Sequence, residues 1–303
     1  MSVSDDKYTF ALCLSHDVDR IYKTYQYATE TISKLSPLQL AGIVSGNNPW
    51  WQFERVMSLE SELGVKSSFQ MLDEQHVTER PIYEWMNPRT WKLYAGRYNV
   101  TNPQVRAMIK VLDSRGWEIG LQGSYLSGGN KFRLTSEKER IEEAIAEPLL
   151  GNRQHYLRVR EPETWRYLRD IGIKYDMSLA DRQELSHQRG YKLIRPFNDK
   201  FVVFPWTVMD STAVRSAETI SGAVSNCHQL LERTRENRGI LVLDWHQRVF
   251  HEPDFPGWTT LYRNVIERAQ KMGAWIGPPG EFYQAASHPD GTVGKTLETL
   301  QTK

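Results

Sequence analysis

Two aspartates close the stretch Phe10-Ala11-Leu12-Cys13-Leu14-Ser15-His16-Asp17-Val18-Asp19-Arg20. Its first half, Phe10–Leu14, is the apolar run of a fully buried strand. Its second half gathers two carboxylates, a histidine and an arginine where that strand ends. Asp17 and Asp19 are two residues apart, so extended backbone projects both to one face. Carboxylates that converge repel each other unless a cation or a proton lies between them. The chemistry this implies is metal binding or acid–base catalysis.

The elements that position such residues follow from periodicity. Helical stretches are expected over 25–44 (interrupted at Pro37), 50–63, 103–115, 134–150 with Thr135 as N-cap, 161–172, 217–237 and 258–272. Strands are expected over 65–72, 117–121, 152–159, 173–175, 200–206, 239–244 and 274–276. The alternation predicts an α/β fold: a distorted (β/α) barrel of seven or eight mostly parallel strands, closed, not an open sheet. Residues 1–287 read as one domain and 288–303 as a polar tail. The segment 73–101, rich in Trp and Tyr, reads as a long binding loop, and so does polar 176–199.

At strand C-termini, where such barrels build their sites, the sequence places Asp17 and Asp19, then Gln122, then Arg153 and His155, then Asp210 beyond Trp206, then His246. The 303 residues carry 38 basic and 37 acidic side chains, net charge +1. That balance gives no reason to expect nucleic acid as a partner. No apolar run approaches the ~20 residues of a membrane span, and the N-terminus shows no secretion signal. A cytoplasmic protein is expected. Cys13 and Cys227 read as buried free thiols. The sequence does not fix an oligomeric state.

The segments SHDVDR, EIGLQGSY, GNRQHYLR and LDWH, in that order over about 10–283, resemble the polysaccharide deacetylase superfamily, in a cytoplasmic branch with a His-Asp-Val-Asp first motif. The resemblance implies a hydrolase that removes an N-acetyl group from a small or carrier-linked amino sugar. It implies a divalent metal, zinc in most members. By the resemblance, Asp17 is the general base, His246 protonates the leaving amine, Arg153 orients the base and Asp210 tunes His246. Asp19 is the metal carboxylate, with Asp17 and His155 completing a three-ligand set. The second motif departs: Gln122 stands where the family has a metal-binding histidine, which implies a metal held weakly or lost. Two other readings follow from that change, a non-catalytic glycan-binding domain and a metal-free enzyme. Gln122, Tyr125, Arg158, Trp85, Trp91, Trp206 and Arg195 are the candidate substrate contacts, with Tyr98, Arg182 and His187 nearby in the two loops.

Overall fold

A computed structural model of the chain describes residues 8–24, 48–145, 147–180, 185 and 189–287. The helix expected over 25–44, the tail over 288–303, Arg182 and His187 lie outside the described residues. Nine strands occur among the described residues: β1 Phe10–Val18, β2 Ser68–Leu72, β3 Glu118–Gly123, β4 Gly151–Gln154, β5 Tyr175–Asp176, β6 Val202–Val203, β7 Thr207–Met209, β8 Ile240–Asp244 and β9 Ala274–Gly277. They run in the order β6-β5-β4-β3-β2-β1-β8-β7, with β9 paired to β1. Every ladder between these strands is parallel.

The sheet curls into the expected distorted barrel. Its two end strands, β6 and β7, are separated in sequence only by Phe204-Pro205-Trp206. The expected closure by a continuous ladder is not what forms: β6 and β7 do not pair among the described residues. The chain crosses the gap instead. The Phe204 amide donates to the Asp176 carbonyl, the Val242 amide to Trp206 and the Thr207 amide to Leu179. Pro205 explains the break, because it has no N–H to extend a ladder.

β1 is the centre of the sheet. It pairs with β8 along Ala11–Ser15, with β9 along Phe10–Cys13 and with β2 along Ser15–Val18. The strand continues through its polar half, and every residue of it is buried. His16 survives burial because its partners are present. Its Nε2 lies 2.8 Å from Glu60 Oε1, and its Nδ1 contacts the Trp245 carbonyl. Glu60 also accepts from Ser67, Trp117 and Tyr262 at 2.6–2.9 Å.

Nine α-helices occur among the described residues: α1 Phe53–Glu62, α2 Pro88–Gly96, α3 Pro103–Ser114, α4 Lys131–Ile145, α5 Glu163–Asp170, α6 Asp210–Arg215, α7 Ile220–Glu236, α8 Trp258–Lys271 and α9 Pro279–Ser287. α2 and two short 3₁₀ turns occupy the segment read as a loop over 73–101. Asn87 caps α2 by accepting from the Arg89 amide at 3.0 Å, and Pro88 starts it. α4 begins before Thr135. Asn130 accepts from the Arg133 amide at 3.1 Å, while Thr135 sits inside the helix and donates to the Lys131 carbonyl at 3.0 Å. The strand expected over 152–159 stops at Gln154. Tyr156 (φ 57°) and Leu157 (φ 54°) are both left-handed there, which no strand accommodates. Cys13 and Cys227 are buried and free.

Candidate active site

The parallel strands deliver their C-terminal residues to one end of the barrel. Asp17, Asp19, His155, Asp210 and His246 line a single cavity of about 310 Å³ there. These five come from β1, β4, β7 and β8, so the strand-end rule brought them together across the whole chain.

Arg153 anchors the cavity floor. Its guanidinium is buried, with Nη1 2.9 Å from Asp17 Oδ1 and 2.8 Å from Asp244 Oδ1. Nη2 donates to Ser15 Oγ at 2.8 Å, and Nε to the Met177 carbonyl at 3.3 Å. Asp244 Oδ1 also accepts from the Asp17 amide at 3.0 Å. Burial first, and the Asp17 charge second, push Asp244 up to about 7.

His246 is clasped by carboxylates. Asp210 Oδ2 accepts from both its ring Nδ1 (2.8 Å) and its backbone amide (2.9 Å). Its Nε2 lies 3.1 Å from Asp19 Oδ2. Burial alone would lower the His246 pKa, and Arg248 acts in the same direction. Asp210, Asp19 and Asp244 outweigh both and hold it well above the usual histidine value.

Asp19 is the hub. Its Oδ1 accepts from Gln122 Nε2 at 2.8 Å and faces His155 Nε2 at 3.4 Å. Its Oδ2 faces His246 and accepts from Arg248 Nη1 at 3.2 Å. Burial would raise Asp19; His246, His155 and Arg248 override it and hold the carboxyl well below its usual range. His155 is oriented from behind by Glu74, whose Oε2 lies 3.2 Å from Nδ1. Glu74 in turn accepts from Arg80 at 2.7 Å and from the Tyr125 amide at 3.1 Å.

Two positions offer themselves to a cation. Asp17, Asp244 and His246 each present a ligand atom within 4.8 Å of the others. Arg153 already lies between those two carboxylates, so an incoming ion competes with a fixed guanidinium. The second position is where Asp19 Oδ1, His155 Nε2 and the Gln122 amide meet. There Glu74 holds Nδ1 of His155 and leaves Nε2 turned to Asp19, the carboxylate–histidine backing common behind metal ligands. Gln122 Oε1 is buried without a hydrogen-bond partner. A half-turn of that amide about its last side-chain bond exchanges its oxygen and nitrogen and places the oxygen against the shared point. The residues fit a cation at this second position. With two oxygens and one nitrogen, the donor set suits manganese or magnesium better than zinc. Asp17 belongs to the first group, beside Arg153, and Asp19 and His155 to the second.

The candidate substrate contacts divide. Gln122 is buried against Asp19. Tyr125 lies beneath Arg158, whose guanidinium carbon is 4.1 Å from the ring centroid. Trp206, only 3 % exposed, is a core residue and not on the cavity wall; it fills the barrel where the chain crosses from β6 to β7. Arg195 is also misplaced by the sequence reading: it does not line the cavity, and its Nη1 donates to the Asp199 carbonyl within its own loop at 3.2 Å. Trp85 and Trp91 are exposed but off the cavity, with their indoles donating to the Arg80 and Trp85 carbonyls. Tyr98 is buried and accepts from the Leu72 amide at 2.7 Å. Among the aromatic rings on the cavity wall, with Phe255 and Trp258, is Tyr156. Sequence reasoning missed it, together with Glu74, Asp244 and Arg248. Glu74 and Asp244 carried the same signal as Asp17, an acid at or just past the end of a buried strand.

No family model matches the sequence, and no curated protein sequence matches it. Solved structures do. One, described as a polysaccharide deacetylase from Mycobacterium smegmatis, superposes with a TM-score of 0.61 at 16% identity over 94% of this chain and 92% of that one. Another, described as a polysaccharide deacetylase from Pseudomonas aeruginosa PAO1, gives 0.59 at 13% identity over 94% and 93%. The chain shares the fold of the polysaccharide deacetylase superfamily.

Proposed function

We propose that the protein is a hydrolase that removes an N-acetyl group from a small or carrier-linked amino sugar. The observation that carries this reading is one cavity holding Asp17, fixed by Arg153, and His246, hydrogen-bonded through Nδ1 to Asp210. Amide hydrolysis needs a base for the attacking water, stabilisation of the oxyanion and a proton for the departing nitrogen. Asp17 is the base: Arg153 holds Oδ1, and Oδ2 takes the proton from water. His246 is the acid: Asp210 anchors Nδ1, and the Nε2 proton passes to the leaving amine. Arg153 keeps Asp17 aligned and its charge balanced through both steps. Asp19, His155 and Gln122 would hold a divalent cation, which when bound polarises the acetyl carbonyl and lowers the pKa of water from 15.7 towards about 7. The fold likeness and the motif resemblance support a sugar as the carrier of the acetyl group.

A second reading, a glycan-binding domain without turnover, is favoured by one feature. The Gln122 amide donates to Asp19, while His246 and Arg248 face its other oxygen, so protein groups alone can satisfy that carboxylate. The two readings separate on a panel of N-acetylated and O-acetylated amino sugars, incubated with manganese-supplemented protein and assayed for acetate. The first predicts acetate from the N-acetyl compounds. Calorimetric binding of a sugar with no acetate released supports the second and overturns the first.

A further inference from the structure

Beyond the cavity wall, two arginines converge on one aromatic ring. Tyr125 has the Arg158 guanidinium carbon 4.1 Å from its centroid and that of Arg89 5.8 Å away. Arg89 Nη1 also donates to the Tyr125 hydroxyl at 2.9 Å. Both arginines are exposed, and no carboxylate pairs with either among the described residues. Some surface arginines pair with a carboxylate, among them Arg160, Arg169, Arg189, Arg235, Arg263 and Arg268; what distinguishes Arg89 and Arg158 is the ring they share. Like charges gathered at one ring, Arg158 at its face and Arg89 at its hydroxyl, repel each other unless an anion lies near them.

The location ties this pair to the cavity. Tyr156 meets the Tyr125 ring edge-on at 5.5 Å and the His155 ring at 4.6 Å, and it lines the cavity. A continuous path therefore runs from His155 across Tyr156 to Tyr125 and the two guanidinium groups. The left-handed residues Tyr156 and Leu157 turn the chain immediately before Arg158. Such outliers persist where the surroundings hold them in place, and they concentrate at ligand sites.

We infer that Arg158 and Arg89 form a subsite for an anionic group, phosphate or carboxylate, carried by the acetylated sugar. Guanidinium forks match both groups in a bidentate manner, and the Tyr156 ring offers a face to the sugar between the anion and the reacting acetyl. The identification of the ligand as an acetylated sugar rests on the function proposed above; the anion preference does not.

The test titrates the whole chain calorimetrically with N-acetylglucosamine, N-acetylglucosamine 1-phosphate and N-acetylmuramic acid. The expected result is binding of a charged sugar about tenfold tighter or more than the neutral one, the size of a single charge-assisted hydrogen bond. The preference falls with added salt and falls again in Arg158→Ala and in Arg89→Ala. Arg158→Lys, which keeps the charge and loses the fork, retains part of it. A phosphate preference and a carboxylate preference distinguish the two sources. Equal affinity for charged and neutral sugars overturns the proposal, as does a preference that survives both alanine substitutions in folded protein. Acetate is assayed in the same samples. Anion-selective binding without acetate leaves the subsite standing and overturns the hydrolase reading, whereas acetate release without selectivity does the reverse.

Discussion

Changing Gln122 to histidine bears on the second cation position directly. Gln122 is 1% exposed at the end of β3, and its neighbours Leu72 and Arg153 fix its register in the sheet. The substitution changes side-chain volume modestly, so it should cost less than ~1.5 kcal/mol of stability. Its effect on the ion should be larger. The present amide already reaches within 2.8 Å of Asp19 Oδ1, so an imidazole on the same backbone brings a nitrogen lone pair to the point that Asp19 and His155 share. A neutral amide becomes a nitrogen ligand, and the set shifts towards zinc. Even the loss of a group behind a metal ligand costs about 10- to 100-fold in affinity, so gaining a direct ligand should gain at least about tenfold. The assay is competition for zinc and manganese against a chelator of known affinity, with acetate release followed alongside. Folded Gln122→His protein with unchanged zinc affinity would refute the placement of the cation at Asp19, His155 and Gln122.

Three further outcomes follow from the same geometry. Asp210→Asn removes the foremost of the carboxylate charges that raise the His246 pKa, so the alkaline limb of the pH–rate profile should move to lower pH; an unmoved limb would detach Asp210 from the acid. Arg153→Met leaves Asp17 and Asp244 buried without their counter-charge and should destabilise the fold by about 3–5 kcal/mol in denaturant titration. Glu137, buried and pushed up to about 8 from an ordinary 4.5, accepts from the amide and hydroxyl of Ser124. Between those values the unfolded chain loses the proton that the folded chain keeps, so this residue makes stability fall as pH rises; Glu137→Gln should lose that dependence, with its Tm rising relative to wild type from pH 5 to pH 8.

The barrel was legible because its inner strands are simple. Phe10–Leu14 and Gly239–Leu243 are apolar runs, Trp117–Leu121 is one broken only by Glu118, and a strand forms at each. The rim was harder to read. β5, β6 and β7 are two or three residues long, too short for a period to show; the strand expected over 200–206 ends at Val203, before Pro205, and β7 begins only at Thr207. α2 was hidden by the aromatic residues around it, although Asn87-Pro88 carried the signature of a helix start. In the site, Asp17, Asp19, Arg153, His155, Asp210 and His246 were visible as polar groups at strand ends. What they pair with was not: Glu74 carries the strand-end signal, but its place behind His155, like that of Arg248 beside Asp19, is a meeting across the barrel that no local pattern encodes. Trp206 shows the converse error, a large ring at a strand end that the core needs more than the cavity does. The left-handed pair Tyr156–Leu157 has no glycine or asparagine to announce it.

The central claim is that Asp17 and His246 act as base and acid on one acetyl group. It is tested most directly by acetate release from an N-acetylated amino sugar, with manganese-loaded wild type, Asp17→Asn and His246→Gln measured side by side. The wild type should turn over and each variant should lose about 10²- to 10⁴-fold, with manganese still bound and the fold intact. Turnover in either folded variant at the wild-type rate would contradict it.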